Sequence, residues 1–150
     1  MRAACIIVGA ALGLAGCAAS GPTGREVLTG SIEPDKARLV IYRTNAMGFA
    51  IQPDYMIDNK KVGQATPNGF VICELPPGRH NVSVGNLALN VNLGGGTDKW
   101  DLDLAPGTTT YIQAEPKPGL TVGVITLNQV ADNQGRNEIA ELYRLDSTCT

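Results

Sequence analysis

Hydrophobic and polar positions alternate with a period of two through much of the chain, and Gly, Pro or Asn interrupts the alternation every eight to twelve residues or so. This pattern is typical of short antiparallel strands joined by tight turns. We predict strands at 37–43, 54–57, 61–64, 69–75, 79–84, 87–93, 100–104, 108–113 and 120–127. The first of these is apolar on both faces, as expected of a central strand. Asp58 and Asn59 tolerate positive φ and predict a hairpin turn.

Many short strands without intervening helices predict an all-β fold, an antiparallel β-sandwich. A small barrel has the same local pattern and is the competing architecture. Only near the C-terminus does the period change, where Ile139, Leu142 and Tyr143 fit one short helix that Gly135 would open.

The first residues follow a different pattern. Arg2 precedes an apolar stretch at 6–15, as in a secretory signal. The stretch is about half of the ~20 residues that a transmembrane helix needs. The segment Leu14-Ala15-Gly16-Cys17 resembles the lipobox of bacterial lipoproteins. The resemblance implies a signal peptide over 1–16, cleavage before Cys17 and a lipid on its sulfur, which would anchor the protein to a membrane. The alternative is an ordinary signal peptide with a chance Cys.

The rest of the chain is predicted to divide into a flexible tether and a folded domain. Residues 17–36, rich in Gly, Ser, Pro and Thr, are predicted to be the lipidated N-terminus and a flexible tether, and residues 37–150 the sandwich. Ala18 stands where many enterobacterial lipoproteins of the inner membrane have Asp, so analogy favours the outer membrane, facing the periplasm. Loss of Arg2 would change the net charge from −2 to −3. Nucleic acid is therefore a poor candidate partner.

Two cysteines remain after Cys5 leaves with the signal and Cys17 takes the lipid. Cys73 and Cys149 would then lie in a compartment that permits disulfides. A bond between them and a pair of free thiols are both open. Two distant Cys and one His lack the close spacing of metal ligands, so we predict no metal and no cofactor.

Catalysis would need either His80, the single His of the chain, or two carboxylates of which one has a raised pKa. The alternative for His80 is a structural role beside the Pro76-Pro77-Gly78 turn. Asp98, Asp101 and Asp103 could suggest calcium, but the EF-hand spacing is absent, and the last two share a solvent face with Lys99. The aromatic residues would either line a sugar platform or, pointing inward, belong to the core: Tyr42, Tyr55, Trp100 and Tyr111.

Several segments between 37 and 127 resemble, in order and spacing, the domain-of-unknown-function family 2846, small bacterial proteins that are often lipoproteins. They are residues 37–43, 57–63, 69–70, 75–82 and 105–112. Position 110 departs from the pattern, being Thr where the family often has an aromatic residue. The same turns are similar to PEGA modules and transthyretin-like sandwiches, which implies a prealbumin-like sandwich. The family carries no established activity, so the resemblance implies no catalytic residues.

Two functional classes follow. The first is a non-catalytic envelope lipoprotein that presents its sandwich to a protein or glycan partner. The second is an envelope hydrolase that uses an acidic pair or His80.

Overall fold

Two β-sheets packed face to face form the body of the protein. The computed structural model describes residues 19–85, 99–117 and 124–149. Its elements are α1 (Gly24–Val27), β1 (Ala37–Arg43), β2 (Asp54–Ile57), β3 (Lys60–Gln64), β4 (Gly69–Leu75), β5 (Gly78–Val84), β6 (Lys99–Leu104), β7 (Thr109–Lys117), β8 (Val124–Val130), α2 (Asp132–Ile139) and β9 (Tyr143–Arg144). One sheet has the order β8-β7-β1-β4-β9 and the other β3-β2-β5-β6. The predicted strand at 87–93 and the predicted lipidation site Cys17 lie outside the described residues.

The central position of β1 explains its unbroken apolar run. All seven of its residues are buried. Leu39 and Ile41 join the core between the sheets, whereas Val40 and Tyr42 pack on the opposite side, where the helices lie. The prediction of a central strand is therefore confirmed.

The core between the sheets takes side chains from both of them, and this confirms the all-β sandwich. From the first sheet come Leu39, Ile41, Val71, Cys73, Ile112, Ala114, Ile125 and Leu127; from the second, Tyr55, Ile57, Val62, Val82, Val84, Leu102 and Leu104. Trp100, a core residue if it pointed inward as one of the two interpretations has it, is instead 36% exposed.

The five-stranded sheet is mixed rather than wholly antiparallel, because β1 runs parallel to β7 and β4 runs parallel to β9. β7 arrives from the other sheet at the end where β1 begins. There the N–H of Gly107 donates to the carbonyl of Lys36 at 2.7 Å. Strands that start at the same end run in the same direction.

The β2–β3 hairpin has the predicted turn, with φ of 50° at Asp58 and 65° at Asn59. Short polar residues enter this left-handed region at low cost because their side chains can hydrogen-bond locally.

The C-terminal helix differs from its prediction at both ends. α2 spans Asp132–Ile139, so Gly135 lies inside it rather than at its start. A Cβ at Gly135 would lie 2.3 Å from the Tyr111 ring, and close approach to this ring explains the glycine. Tyr143 leaves the helical region and pairs with Gly69 in β9.

Part of the segment predicted as a tether contacts the folded body. The Arg144 N–H donates to the carbonyl of Pro22 at 2.9 Å, and a Cβ at Gly21 would lie 2.2 Å from the Arg144 carbonyl oxygen. Thr23 forms a bridge with Tyr143, and Val27 packs on the outer cluster. Contacts with the body therefore begin at Gly21 and continue to Val27. Across the described ranges, no helix is long and apolar enough to cross a membrane.

A disulfide joins Cys73 on β4 to Cys149, with the two Cα atoms 5.3 Å apart. Such a separation is common for disulfides. The C-terminal segment also donates hydrogen bonds to both sheets: the N–H of Leu145 to Phe70 of β4 at 2.8 Å, and that of Thr148 to Val62 of β3 at 3.2 Å. It thereby covers the gap between β4 and β3.

Candidate functional site

His80 lies in a polar site at one end of the second sheet, where both of its ring nitrogens have hydrogen-bond partners. Its Nδ1 lies 2.7 Å from Oδ2 of Asp58, in the β2–β3 turn, and its Nε2 lies 2.8 Å from the carbonyl oxygen of Pro76. The side chain is only 12% exposed. Both partners are acceptors, so the two hydrogen bonds exist together only when both ring nitrogens carry a proton, in the imidazolium form.

The electrostatics agree with this protonation state. Burial opposes the charge on His80, but the hydrogen bonds to Asp58 and Pro76 outweigh it and raise the pKa of the ring. Burial likewise opposes the charge on Asp58, yet the Asn81 N–H and His80 together lower its pKa.

This arrangement leaves His80 without a free nitrogen to accept a proton from a nucleophile. A general base needs such a nitrogen within hydrogen-bond reach of its substrate. The geometry makes His80 a cross-link between the β2–β3 turn and the turn before β5, which is the structural alternative for this residue.

Asn81 links two carboxylates near His80, but their electrostatics are not those of an acid/base pair. Asn81 donates its N–H to Oδ1 of Asp58 and its side-chain amide to Oδ1 of Asp101, both at 2.9 Å. Hydrogen bonds from Asn81 and Arg79 lower the pKa of Asp101. A general acid needs a raised pKa, and both carboxyls are shifted the other way.

The calcium hypothesis finds no cluster in the described part of the chain. Asp101 and Asp103 are exposed beside Lys99, as predicted, and Asp98 lies outside the described residues. Within residues 19–85, 99–117 and 124–149, no three His, Cys, Asp or Glu side chains are grouped so as to hold a metal.

The aromatic side chains are mostly core. Tyr42, Tyr55 and Tyr111 are buried, so they form no sugar platform. Trp100, the partly exposed one, lies at the start of β6 and apart from them.

An open groove of about 480 Å³ lies between the chain that follows α1 and the starts of β1 and β7. The side chains that give it its character are Leu28, Ser31, Ile32, Arg38, Thr108, Asp132 and Arg136. It combines apolar, hydroxyl, cationic and carboxylate groups on one surface.

The two arginine side chains of the groove differ in their exposure and in their hydrogen bonds. Arg38 is 9% exposed and fixed, because it donates to Oε1 of Glu74 at 2.5 Å and to the carbonyl of Gly30 at 3.1 Å. Arg136 is 56% exposed and shares its guanidinium with Asp132 on the same face of α2. An exposed guanidinium beside a fixed one is suited to an anionic or strongly polar ligand.

The groove is not visible in the sequence pattern, because Arg38 and Arg136 lie on a strand and a helix that are distant in the chain. The available signal was Arg38 itself, a cation inside the apolar run of β1.

The comparisons with known proteins place the chain in a family. The family described as "Protein of unknown function (DUF2846)" matches residues 33–125. An uncharacterized protein of Haemophilus influenzae is 29% identical over 112 residues, which cover 75% of this chain and 62% of that protein. The chain thus spans less than two thirds of this relative's length. No solved structure matches the chain. Since the family match covers more than half of its residues, this protein belongs to the DUF2846 family.

Proposed function

We propose that this protein is a lipid-anchored module of the bacterial cell envelope, held at the outer membrane on the periplasmic side, that binds a ligand and does not catalyse. The observation that carries the proposal is the lipobox-like segment ending at Cys17, with only residues 18–20 between it and Gly21. At about 3.5 Å per residue, the four steps from Cys17 reach at most about 14 Å. A lipid on Cys17 would therefore hold the body directly against the bilayer.

The position of the groove supports a binding role. Gly21 lies beside Arg144, which pairs with Phe70 at the start of β4, whereas Arg38 and Thr108 of the groove lie where β1 and β7 begin. Because β4 is antiparallel to β1, these are opposite ends of the sandwich. The groove would open away from the membrane, toward the periplasm.

The lining suggests the class of ligand. Guanidinium groups bind carboxylates through paired N–H donors, and hydroxyls such as those of Ser31 and Thr108 match sugar hydroxyls. An envelope glycan that carries carboxylates has both features, and we propose it as the ligand. The hydrolase alternative is disfavoured by the second hydrogen bond of His80 and by the lowered pKa values of Asp58 and Asp101.

Cell fractionation tests the anchor. Cys17→Ser should prevent lipidation and move the protein out of the detergent-soluble membrane fraction, whereas Cys5→Ser, inside the predicted signal, should leave it there. A Cys17→Ser protein that fractionates and weighs the same as the parent would contradict the anchor.

Calorimetric titration of the lipidated protein in detergent with soluble peptidoglycan fragments tests the groove. Arg136→Gln should weaken binding by about 10-fold or more, the value of one charge-assisted hydrogen bond. Arg79→Gln is the matched control, because Arg79 is also exposed and paired with an aspartate but lies outside the groove. Equal losses in both variants, or no binding by the parent, would refute the groove's role and leave the anchor standing.

A further inference from the structure

A buried cation holds the loop that follows β1. Arg43 is fully buried. Its guanidinium donates hydrogen bonds to the carbonyl oxygens of Asn45 at 3.2 Å, of Ile51 and Ala65 at 2.8 Å each, and of Met47. Among residues 19–85, 99–117 and 124–149, no carboxylate pairs with it. A buried charge is costly unless its donors are satisfied, so this guanidinium fixes the shape of the loop.

This segment, residues 44–53, is named here the β1–β2 loop. It contains no charged residue, and residues 46–50 are all exposed. Met47 is 61% and Phe49 is 71% exposed. Between them Gly48 has φ of 63° and its carbonyl accepts from the N–H of Ile51 at 2.8 Å, which makes a tight turn.

Single exposed apolar side chains are ordinary on a protein surface. The β1–β2 loop is different because two large apolar side chains, Met47 and Phe49, lie on one turn between Ala46 and Ala50, in a segment whose own residues 44–53 are all uncharged. A buried arginine keeps that turn in place instead of letting it fold its side chains inward. The combination indicates a surface that contacts something apolar.

The loop lies at the end of the sandwich where the N-terminal segment leaves. Arg43 pairs with Gly69, Gly69 pairs with Tyr143, and Tyr143 bridges to Thr23. Three steps of one strand spacing amount to about 14 Å across the sheet. From Gly21, two residues before Thr23, the chain runs back through residues 18–20 to Cys17.

We propose that the β1–β2 loop is a membrane-contact surface, and that Met47 and Phe49 enter the headgroup–acyl boundary of the bilayer that holds the lipid on Cys17. The inference rests on the proposed function, because the anchor is what brings the loop to the bilayer. The short reach from Cys17 to Gly21 favours the bilayer over a protein as the occupant. Apolar side chains without basic neighbours bind an interface by burial of area rather than by charge. The contact would therefore be independent of anionic lipid, and with the anchor it would fix the groove toward the periplasm.

Fluorescence quenching tests the contact in the intact, lipidated protein. Trp100→Phe removes the single tryptophan of the chain, and Phe49→Trp places one on the loop. In vesicles of phosphatidylcholine with brominated acyl chains, the tryptophan at 49 should be quenched severalfold more than in plain vesicles, and its emission should shift to the blue. Adding phosphatidylglycerol should not change either result.

The matched control is Ala105→Trp in the same background. Ala105 is exposed and lies in the turn before β7, at the opposite end of the sandwich. Its tryptophan should show no bromine quenching.

The possible failures are distinguishable. Equal quenching at 49 and 105 in protein whose mass includes the lipid on Cys17 would overturn the loop contact and leave the anchor intact. Emission shifted to the blue at 49 without bromine quenching would assign the loop to a protein contact, and would also overturn the proposal. Protein without lipid on Cys17 would overturn both this inference and the proposed function.

Discussion

Cys149→Ser should lower the free energy of unfolding by about 4 kcal/mol. The disulfide joins positions separated by 76 residues, so its loss frees a long loop in the unfolded chain. The loop-entropy relation gives about 4.5 kcal/mol at 25 °C for a loop of this size. The folded state loses little packing from the substitution itself, because Cys149 is only partly buried, at the edge of the core. The entropy of the unfolded chain should therefore account for most of the effect.

Urea unfolding of the mature chain, followed by far-UV circular dichroism, measures this value. Reductant should bring the parent close to the Cys149→Ser curve and leave the variant unchanged. Ser147→Ala is the matched control, because it removes the hydrogen bond to the Ile72 carbonyl in the same segment but keeps the disulfide. The Ser147→Ala substitution should lower the free energy of unfolding by about 1 kcal/mol.

Two results would refute this reasoning. One is a parent protein, purified without reductant, in which both Cys73 and Cys149 can be alkylated. The other is a Cys149→Ser variant that unfolds within the error of Ser147→Ala, since the segment would then be held by its hydrogen bonds alone.

Three further predictions concern side chains in the folded body. The raised pKa of His80 gives stability that is complete below about pH 6.5 and lost as pH rises through the folded pKa. His80→Gln should abolish this pH dependence of the free energy of unfolding, measured by urea titration between about pH 5.5 and 8.5. A variant whose free energy of unfolding depends on pH as the parent's does would contradict the cross-link to Asp58. Arg43→Met should lower the free energy of unfolding by about 3 kcal/mol and speed proteolysis in the β1–β2 loop, because the carbonyl groups that it binds lose their donors. A variant that resists the protease as well as the parent does would contradict the role of Arg43. Gly135→Ala would stabilise an ordinary helix by about 1 kcal/mol. Here it should lower the free energy of unfolding by about 1–3 kcal/mol, because the Tyr111 ring fills the space that the added Cβ needs. A higher thermal midpoint in the variant would refute that contact.

Strand positions were predictable because burial on one or both faces of a strand places apolar residues at alternating or continuous positions in the sequence. The prediction of β1 at 37–43 and of β4 at 69–75 agrees with the observed bounds. The Asp58-Asn59 turn was predictable for a similar reason, because few residue pairs accept two positive φ values.

The errors came from contacts between distant parts of the chain. Gly135 has the local chemistry of a helix end, and only the Tyr111 ring explains why it lies inside α2. The segment at Gly21 has the composition of a linker, yet its backbone pairs with Arg144. Composition does not report such pairing.

The candidate site was the least predictable part. His80 was found because it is the single His, but its role depends on Pro76 and Asp58, which the fold brings to its two nitrogens. The groove depends on Arg38 of a strand and Arg136 of a helix lining one surface, and no periodicity encodes that placement. Whether Cys73 and Cys149 would meet was open for the same reason.

The mass of the protein purified from cells tests the central claim most directly. The account predicts a chain that starts at Cys17, with residues 1–16 removed, and that carries a diacylglyceryl group on the sulfur and an acyl group on the new amine. Fragmentation should place both groups on Cys17. A chain that retains residues 1–16, or one whose Cys17 thiol can be alkylated, would contradict the claim that this protein is a lipid-anchored envelope module.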